Sequence, residues 1–364
     1  MERLRVRTLV AVLSVAVLAG CAGLKEGTDL SVEREILAGD PPIVSDRFLL
    51  HSPDQQIIGE LQIIETRDAD TFVDIARTYN LGFDELVDAN PEVDPWLPGE
   101  GTRVILPTRF VLPRAPHDGI VVNLASKRLF YYLEPDEDGV RAVVTFPIGI
   151  GQSGTSTPVG ATTVISKGRD PIWYVPASIR KEYAAEGNPL PAKVMPGPDN
   201  PLGSHVLILG MPSYLIHGTN RPAGVGMRVS HGCVRLFPEN IEFLYEIAPV
   251  GVAVTIVNQP WLIAWDQQHL YLEAHQPLAD DATDWPVIFP GMLTALLAEA
   301  PNGVGIPDAG RINEILSAAQ GIPLPLLEGD SPVAQVIAAA MLVNNLVVNP
   351  EPAPEVLAFE VGDQ

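Results

Sequence analysis

Residues 217–235 read HGTNRPAGVGMRVSHGCVR, and this stretch contains Cys233, one of only two cysteines in the chain. The other cysteine, Cys21, lies in a leader segment, so the mature chain offers Cys233 no disulfide partner. A free cysteine has a pKa of about 8.5, and only a few per cent is thiolate at neutral pH unless the site helps. The usual help is an imidazole within hydrogen-bond reach, and the stretch supplies two.

The two histidines differ in their relation to the cysteine. His217 ends an apolar strand pattern and lies sixteen residues before Cys233, across a loop rich in glycine. If strands flank that loop, both side chains meet at its base, so His217 is the expected proton acceptor. His231 is two residues from Cys233, and alternate side chains of an extended strand share one face. His231 is therefore expected to line the same site.

Small and basic neighbours suit Cys233 to a carbonyl substrate. Gly232 has no side chain, so a substrate carbonyl can approach the backbone N–H groups around Cys233, as an oxyanion hole requires. Arg235 shares the face of Cys233 in an extended segment and is a candidate to bind a substrate carboxylate through two parallel hydrogen bonds. These residues predict acyl transfer through a thioester.

Two other interpretations of Cys233 remain open. A lone cysteine is often a small buried hydrophobic residue without chemistry. Thiolate and imidazole also bind zinc, so His217, His231 and Cys233 form a candidate three-ligand metal site. Neither CxxC nor HExxH spacing surrounds them. We therefore expect no metal and no other cofactor.

The region around this stretch, residues 119–257, has the apolar patterns of strands. Its one helical pattern is Pro238–Ile247, and a mainly β domain is predicted, either a sandwich or a closed sheet. The glycine-rich segment Gly149–Gly154 is interpreted as a turn rather than a phosphate loop, since neither a lysine nor a helix follows it. The expected strands are 120–124, 128–133, 141–150, 206–209, 214–216 and 252–257.

A smaller unit, residues 59–108, precedes the β-rich region. An alternating strand pattern is followed by two stretches with helical spacing, and Asn90-Pro91 ends the second, because proline disfavours continued helix. A closing strand completes a small fold of about fifty residues. The predicted elements are a strand at 60–64, helices at 71–79 and 83–89, and a strand at 102–107.

The first twenty residues have the pattern of an export signal. Three arginines precede an apolar run, Leu9–Ala19, that is too short to span a bilayer. The run ends in Leu-Ala-Gly-Cys, which resembles the lipobox of bacterial lipoproteins and implies cleavage before Cys21 and acylation of that cysteine. A cleaved signal without lipidation is the alternative. Acyl chains would hold the protein on a membrane surface, with residues 21–58 as a tether that ends in a short strand.

Charge excludes one class of partner. The formal net charge is −22, which argues against nucleic acid, because phosphate binding needs clusters of lysine and arginine. From Trp261 onward there are fourteen acidic residues and one basic residue, Arg311. This acidic C-terminal extension, residues 259–364, receives no function from its sequence. It is predicted to be mostly helical, with a hairpin at 265–274 and helices near 292–299, 311–319 and 333–347.

The motifs around Cys233 carry a family resemblance. HGTN at 217–220, followed by SHGCVR at 230–235, resembles the signature of L,D-transpeptidases of the YkuD family. TPVG at 157–160 is similar to that family's stretch ahead of the active site. The resemblance covers roughly residues 119–257 and implies a YkuD-type catalytic domain, for which residues 117–258 are the expected limits.

The preceding unit resembles a LysM module. The matching segments are DTF at 70–72, NP at 90–91 and LPG at 97–99, although Ala69 stands where that family usually has glycine. The resemblance implies binding of glycans that contain N-acetylglucosamine, including peptidoglycan. A structural adaptor without glycan affinity is the alternative.

The YkuD resemblance implies a reaction on peptidoglycan stems. Cys233 would attack the bond between the L-centre of diaminopimelate and the terminal D-Ala of a tetrapeptide, while His217 would take the thiol proton and return it to D-Ala. Gly218 would orient the imidazole, and the backbone at Gly232 would hold the oxyanion. The acyl group would pass to a diaminopimelate amine, giving a 3→3 crosslink, or to a lysine of an envelope lipoprotein. The expected substrate-binding residues are Asn220, Ser230, His231 and Arg235.

The sequence thus predicts an α+β protein with a mainly β catalytic domain, a small βααβ module and a helical extension. Its expected place is the periplasm, anchored by lipid to the outer membrane, since Ala22 is not the aspartate that retains many lipoproteins in the inner membrane. Its expected partners are stem peptides and glycan strands. Two alternatives remain open: a hydrolase of the L,D-carboxypeptidase or amidase type with the same site, and a non-catalytic peptidoglycan-binding tether.

Overall fold

Strands dominate the described part of the chain, which comprises residues 33–37, 43–300 and 305–348 of the computed structural model. Side chains are described from Arg47 onward. The predicted signal peptide at 1–20 and the predicted lipidation site Cys21 lie outside the described residues. Within that part of the chain, no helix is both long and apolar enough to cross a membrane.

The N-terminal unit contains strand, helix, helix and strand in the predicted order. Thr71 caps the first helix, because its hydroxyl accepts a hydrogen bond from the Asp74 N–H at 3.3 Å. Asn90 ends the second helix: its amide donates to Leu86 O at 2.9 Å, and its oxygen accepts the Ile105 N–H at 2.7 Å. The elements are β1 Glu33–Leu37, β2 Ile43–Leu50, β3 Ile57–Gly59, β4 Gln62–Glu65, α1 Phe72–Thr78, α2 Phe83–Ala89, β5 Arg103–Leu106 and β6 Arg109–Val111.

The region from 119 to 257 is mainly β, as predicted. Ten strands, including β1 and β2, join in the order β1-β2-β9-β8-β7-β18-β11-β14-β15-β17. A short 3₁₀ turn lies at Pro222–Gly224. The elements are β7 Gly119–Asn123, β8 Arg128–Tyr132, β9 Arg141–Pro147, β10 Ile150–Gly151, β11 Gly160–Arg169, β12 Trp173–Tyr174, α3 Ala177–Ala185, β13 Lys193–Val194, β14 His205–Leu209, β15 Leu215–His217, β16 Arg228–Ser230, β17 Val234–Arg235, α4 Pro238–Ile247 and β18 Ala253–Val257.

The long strand β11 divides this sheet into two halves. Its first residues pair with β18 and its later residues with β14, with a register shift between Val164 and Ser166. Such an irregularity bends a strand. Apolar side chains of both halves and of α4 meet in one core, while the opposite face of β7–β9 packs on the N-terminal unit. The shared core contains Ile120, Val122, Leu129, Val144, Leu207, Ile216, Val234, Ile241 and Leu244.

Among the elements that depart from the sequence predictions are β2, α3 and β11. β2 lies inside the predicted tether, 21–58, yet it pairs with β9 and buries Phe48 and Leu50. α3 is a second helix where only one is predicted, because Ile179 is its sole buried residue and leaves no apolar stripe to detect. β11 is likewise unpredicted, since Val164 is its only buried side chain.

Among the described residues of the extension, 259–364, the structure contains the predicted hairpin and a helix near each of the three predicted places, together with two short strands that the sequence does not predict. The hairpin is longer than predicted and gains a third strand. The helix predicted at 333–347 ends at Ala338, and a strand follows that pairs parallel with β4. The elements are β19 Trp261–Asp266, β20 His269–Ala274, α5 Trp285–Ala298, α6 Ala309–Ala318, β21 Leu324–Pro325, α7 Val333–Ala338 and β22 Met341–Leu342.

The end of the described chain binds the N-terminal unit. The Tyr79 hydroxyl donates to Asn344 O and accepts the Leu346 N–H, both at 2.8 Å. The Asn345 amide donates to Asp70 Oδ2 at 2.6 Å. Sheet pairing and side-chain hydrogen bonds therefore attach the extension to the βααβ unit.

Candidate active site

The parallel pair β15–β17 brings the histidine and cysteine motifs together. Ile216 lies opposite Val234, and His217 lies opposite Arg235. Ile216 and Val234 are buried in the shared core. Because neighbouring side chains of a strand point to opposite faces, His217 and Arg235 face away from that core, and so does Cys233, which precedes Val234. The strand register therefore places the side chains of His217 and Cys233 on the same side of the sheet.

His217 is buried and held in one tautomer. Its side chain is 3% exposed, and its Nδ1 lies 2.7 Å from Gly218 O. A carbonyl oxygen only accepts, so Nδ1 carries the proton and Nε2 keeps its lone pair in the neutral ring. Burial, together with the positive charge of Arg235, lowers the pKa of His217 to about 3. The imidazole is therefore neutral at physiological pH and able to accept a proton at Nε2.

Gly218 sits where a larger residue does not fit. A Cβ at this position would lie 2.9 Å from the Ile241 side chain and 3.4 Å from Leu202 O. The close packing fixes the carbonyl that binds His217 Nδ1. The backbone carbonyl of Gly218 therefore lies in a fixed position beside the His217 ring.

The thiol of Cys233 is partly buried and protonated at rest. Its S–H donates to Ser213 O over 3.7 Å, and Ser213 itself has a φ of +72°, a conformation that costs a non-glycine residue energy. Burial raises the pKa of Cys233, opposed by the Leu215 N–H and by the charge of Arg235. The resting pair is therefore a neutral thiol with a neutral imidazole, not a thiolate with an imidazolium.

The turn before Cys233 is fixed by a hydroxyl group. Ser230 is fully buried; its Oγ donates to Cys233 O at 2.6 Å and accepts the Gly232 N–H at 3.1 Å. The prediction that Ser230 binds substrate is corrected by this burial, since its hydroxyl is used within the turn. Ser230 instead shapes the backbone of the turn that ends at Cys233.

Gly232 is required by conformation and by space. Its φ is +103°, and a Cβ would lie 2.9 Å from the Tyr214 ring. Its carbonyl accepts a hydrogen bond from Thr157 Oγ1 at 2.8 Å, while its N–H is engaged with Ser230. The N–H of Gly232 is therefore not free to bind an oxyanion in this structure.

Arg235 supplies positive charge without an internal counterion. Its Nε is buried and makes no hydrogen bond within the described residues, and none of their carboxylates forms an ion pair with it. Burial lowers the pKa of Arg235, as does nearby Arg221. In a chain with a net charge of −22, an unpaired guanidinium beside the thiol marks a place for an anion.

Residues 117–256 match the family model described as the YkuD L,D-transpeptidase catalytic domain. The Probable L,D-transpeptidase YbiS of Escherichia coli (strain K12) is 37% identical over 287 residues, 77% of this chain and 91% of that protein. The Probable L,D-transpeptidase ErfK/SrfK of Salmonella typhimurium is 38% identical over 260 residues, 70% of this chain and 82% of that protein. The chain belongs to the L,D-transpeptidase family.

Two other predicted site residues, His231 and Asn220, have surroundings of their own. His231 turns toward α3, where its Nε2 is 3.1 Å from Glu182 Oε2, and Asn220 is exposed in the loop after β15. Among the described residues, no group of three or more His, Cys, Asp and Glu side chains is placed to hold a metal ion. His217, His231 and Cys233 therefore do not form the candidate three-ligand site.

Two residues of an earlier segment, Gly151 and Thr157, support the turn before Cys233 from outside the stretch 217–235. Thr157 bonds Gly232 from a loop seventy-five positions earlier, and its Oγ1 also accepts the Gly151 N–H at 3.2 Å. Gly151 is needed there because a Cβ would lie 2.3 Å from Thr155 O. The TPVG resemblance marks this segment, but no spacing rule connects it with Cys233.

Proposed function

We propose that this chain is a peptidoglycan L,D-transpeptidase in which Cys233 is the nucleophile and His217 the proton acceptor. The observation that carries the proposal is the buried His217 ring, whose Nδ1 is held by Gly218 O, on the same sheet face as the Cys233 thiol and the unpaired Arg235. Family membership supports the reaction type. The roles of the individual residues follow from the chemistry of this arrangement.

The first half-reaction forms a thioester. Cys233 Sγ attacks the carbonyl carbon of the L-centre of diaminopimelate, and His217 Nε2 takes the thiol proton. Because both groups are neutral at rest, the proton moves as the sulfur–carbon bond forms. The same nitrogen then protonates the amine of D-Ala as the carbon–nitrogen bond breaks, and D-Ala leaves.

The oxyanion of the tetrahedral intermediate needs a donor other than the Gly232 N–H, which binds Ser230. The Arg235 N–H donates to Gly149 O at 2.9 Å. Alternate N–H groups of an extended strand point the same way, and because Cys233 directly precedes β17 we infer that its N–H is directed to that side, away from β15. We assign the oxyanion to the Cys233 N–H, a contact typically worth about 3 kcal/mol of barrier.

Arg235 is assigned to a substrate carboxylate. Stem peptides carry carboxylates on both diaminopimelate and D-Ala, close to the bond that is cleaved. The unpaired guanidinium next to Cys233 matches such a group in charge and in hydrogen-bond geometry. Binding this carboxylate places the scissile carbonyl beside the thiol.

The second half-reaction transfers the acyl group to an amine, either diaminopimelate in a 3→3 crosslink or a lysine of an envelope lipoprotein. Water as acceptor would make the same site an L,D-carboxypeptidase. We further propose that residues 59–108 bind glycan as a LysM-type module and that lipid on Cys21 anchors the enzyme to the periplasmic face of the outer membrane. The βααβ order of the module supports the first of these.

The test is muropeptide analysis by mass spectrometry. Purified protein is incubated with tetrapeptide muropeptides, with and without an added amine acceptor, and D-Ala release and crosslinks are measured. We expect D-Ala release by the wild type and none by Cys233→Ala with an unchanged circular dichroism spectrum. A carbapenem should add its mass to the wild type only. Equal turnover by the two proteins would refute the proposal, and free stems without crosslinks would identify the hydrolase.

A further inference from the structure

One carboxylate of the C-terminal extension reaches the walls of the active site. Asp280 lies between β20 and α5, and its oxygens accept hydrogen bonds from Arg228 Nη2 at 2.8 and 3.1 Å. The Ser156 hydroxyl donates to the same carboxylate. Arg228 begins β16, and Ser156 belongs to the glycine-rich loop after β10. Asp280 thus joins two segments that are distant in sequence.

Both segments continue directly to the nucleophile. After Ser156, Thr157 donates to Gly232 O at 2.8 Å, one residue before Cys233. After Arg228, β16 ends at Ser230, whose hydroxyl donates to Cys233 O at 2.6 Å. Ser156 and Arg228, the two partners of Asp280, are therefore only one and two residues away from side chains that form hydrogen bonds to the turn around Cys233.

The two segments are also tied to each other beneath Asp280. Arg228 Nε donates to Gly151 O at 3.2 Å, and the Gln152 N–H donates to Ser230 O at 2.9 Å. β10 and β16 pair in parallel over only two residue pairs, with a register shift between them. Because so short a ladder has few backbone hydrogen bonds, the neighbouring ion pair between Arg228 and Asp280 helps to hold β10 and β16 in place.

The segment that carries Asp280 is itself firmly held. Leu278 packs against the core of the catalytic domain. Asp281 accepts hydrogen bonds from Asn258 Nδ2 at 2.8 Å and from Trp285 Nε1 at 2.6 Å. Asp281 therefore fixes the extension, whereas its neighbour Asp280 contacts the active-site walls.

We propose that Asp280 is a positioning residue of the transpeptidase, acting through Arg228 and Ser156 to hold the turn that presents Cys233. This assignment rests on the proposed function for its kinetic consequence. It gives the C-terminal extension a role in the reaction: its first loop braces the walls of the site from outside. Ser156 is exposed and Arg228 is only partly buried. Asp280 therefore holds these two residues by its charge and its hydrogen bonds rather than by packing.

The test compares two adjacent carboxylates. Asp280→Asn is expected to lower kcat for D-Ala release about tenfold, with KM within about twofold, because a small displacement of a reacting group is costly. Ser156→Ala should have a smaller effect of the same kind. Asp281→Asn is the matched control: it weakens the extension's own contacts, lowers Tm, and leaves kcat per folded molecule within about twofold.

A second measurement separates positioning from general instability. Alkylation of Cys233 by iodoacetamide, followed against pH, should be about threefold slower at pH 7 in Asp280→Asn and unchanged in Asp281→Asn, since a displaced turn loses the groups that favour the thiolate. Equal alkylation and equal kcat in the two variants would overturn the proposal. This measurement needs no peptidoglycan, so if the wild type itself releases no D-Ala, the proposed function fails while alkylation still decides the role of Asp280.

Discussion

Gly82 and Gly226 pack backbone against backbone: a Cβ on Gly226 would lie 2.3 Å from Gly82 Cα, and a Cβ on Gly82 would lie 2.8 Å from Gly226 Cα. Gly82 precedes α2 of the N-terminal unit, and Gly226 lies in the loop between His217 and Cys233. The Phe83 N–H also donates to Val225 O at 3.3 Å. The N-terminal unit therefore supports the loop between His217 and Cys233.

Gly82→Ala tests this contact. Gly82 has a φ of −82°, which alanine adopts freely, so the penalty comes from the close approach of the new Cβ to Gly226 Cα at 2.8 Å and to Glu85 Oε2 at 3.2 Å. We expect the free energy of unfolding to fall by about 1–3 kcal/mol, with kcat reduced because the loop shifts. Urea denaturation and D-Ala release measure the two effects.

Gly291→Ala is the control for that substitution. Gly291 lies within α5, and a Cβ there would meet nothing within 4 Å. Alanine at this helix position should leave activity unchanged and stabilise the protein by up to about 1 kcal/mol. Similar losses at both glycines would show that the contact between Gly82 and Gly226 is unimportant.

A buried ion pair joins the same two parts of the molecule. Arg128, 1% exposed, binds both oxygens of Glu85 at 2.7 Å and stacks on the Phe110 ring at 4.2 Å. Glu85→Gln leaves the guanidinium buried without its counterion and should cost about 3–5 kcal/mol of unfolding free energy. Adding Arg128→Met to that variant should restore part of the loss, as measured by urea denaturation.

An exposed pair provides the comparison. Arg103 and Glu65 lie 3.5 Å apart, with side chains 67% and 52% exposed. Glu65→Gln should change stability by less than about 1 kcal/mol, because water screens such pairs. If Glu65→Gln and Glu85→Gln were equally harmful, burial would not be the source of the Glu85 effect.

The two histidines of the site are expected to respond differently. His217→Gln removes the Nε2 lone pair beside Cys233 and should reduce kcat for D-Ala release by at least about a hundredfold. His231→Gln breaks only the contact with Glu182 and should change kcat less than about fivefold. A larger loss for His231→Gln than for His217→Gln would reverse the assignment of the base.

The sequence predicts those helices and strands whose apolar residues recur at regular spacing. α4 begins and ends where its apolar spacing predicts, and α2 does so because Asn90 and Pro91 end it. α3 and β11 are missed because each buries a single side chain, so neither shows a period. Apolar residues that recur every two positions in a strand, or every three to four in a helix, indicate an element with one buried face. α3 and β11 have almost no buried face, so their sequences lack such a pattern.

The residues of the candidate site also fall into two groups, those that the sequence indicates and those that only the structure shows. Cys233 and His217 can be proposed from the sequence because their chemistry and spacing lie within one continuous stretch. Thr157, Asp280 and Gly82 reach that stretch only through the fold, from segments before and after it. Ser230 is misassigned from sequence because a hydroxyl in a motif does not reveal whether it is buried.

Arg235 lowers the pKa of His217 and also favours the thiolate of Cys233, so it affects both reacting groups. In Arg235→Gln we expect the pKa of His217 to rise from about 3 toward its ordinary value and the pKa of Cys233 to rise further. The acid limb of kcat/KM should therefore move to higher pH, and KM for the stem peptide should rise about tenfold through the lost carboxylate contact. An unchanged acid limb would show that Arg235 does not act on the base.

The low pKa of His217 also makes stability depend on pH. An unfolded histidine binds a proton near pH 6.5, whereas folded His217 does so only near pH 3. Between these values the unfolded chain holds the extra proton, so stability falls as pH decreases from 6.5 toward 3, by up to about 1.4 kcal/mol per pH unit. The wild type should therefore lose more unfolding free energy between pH 7 and pH 4.5 than His217→Gln, which has no group to titrate. Urea denaturation of both proteins at the two pH values removes the common contribution of the carboxylates, and parallel losses would mean that His217 titrates normally in the folded enzyme.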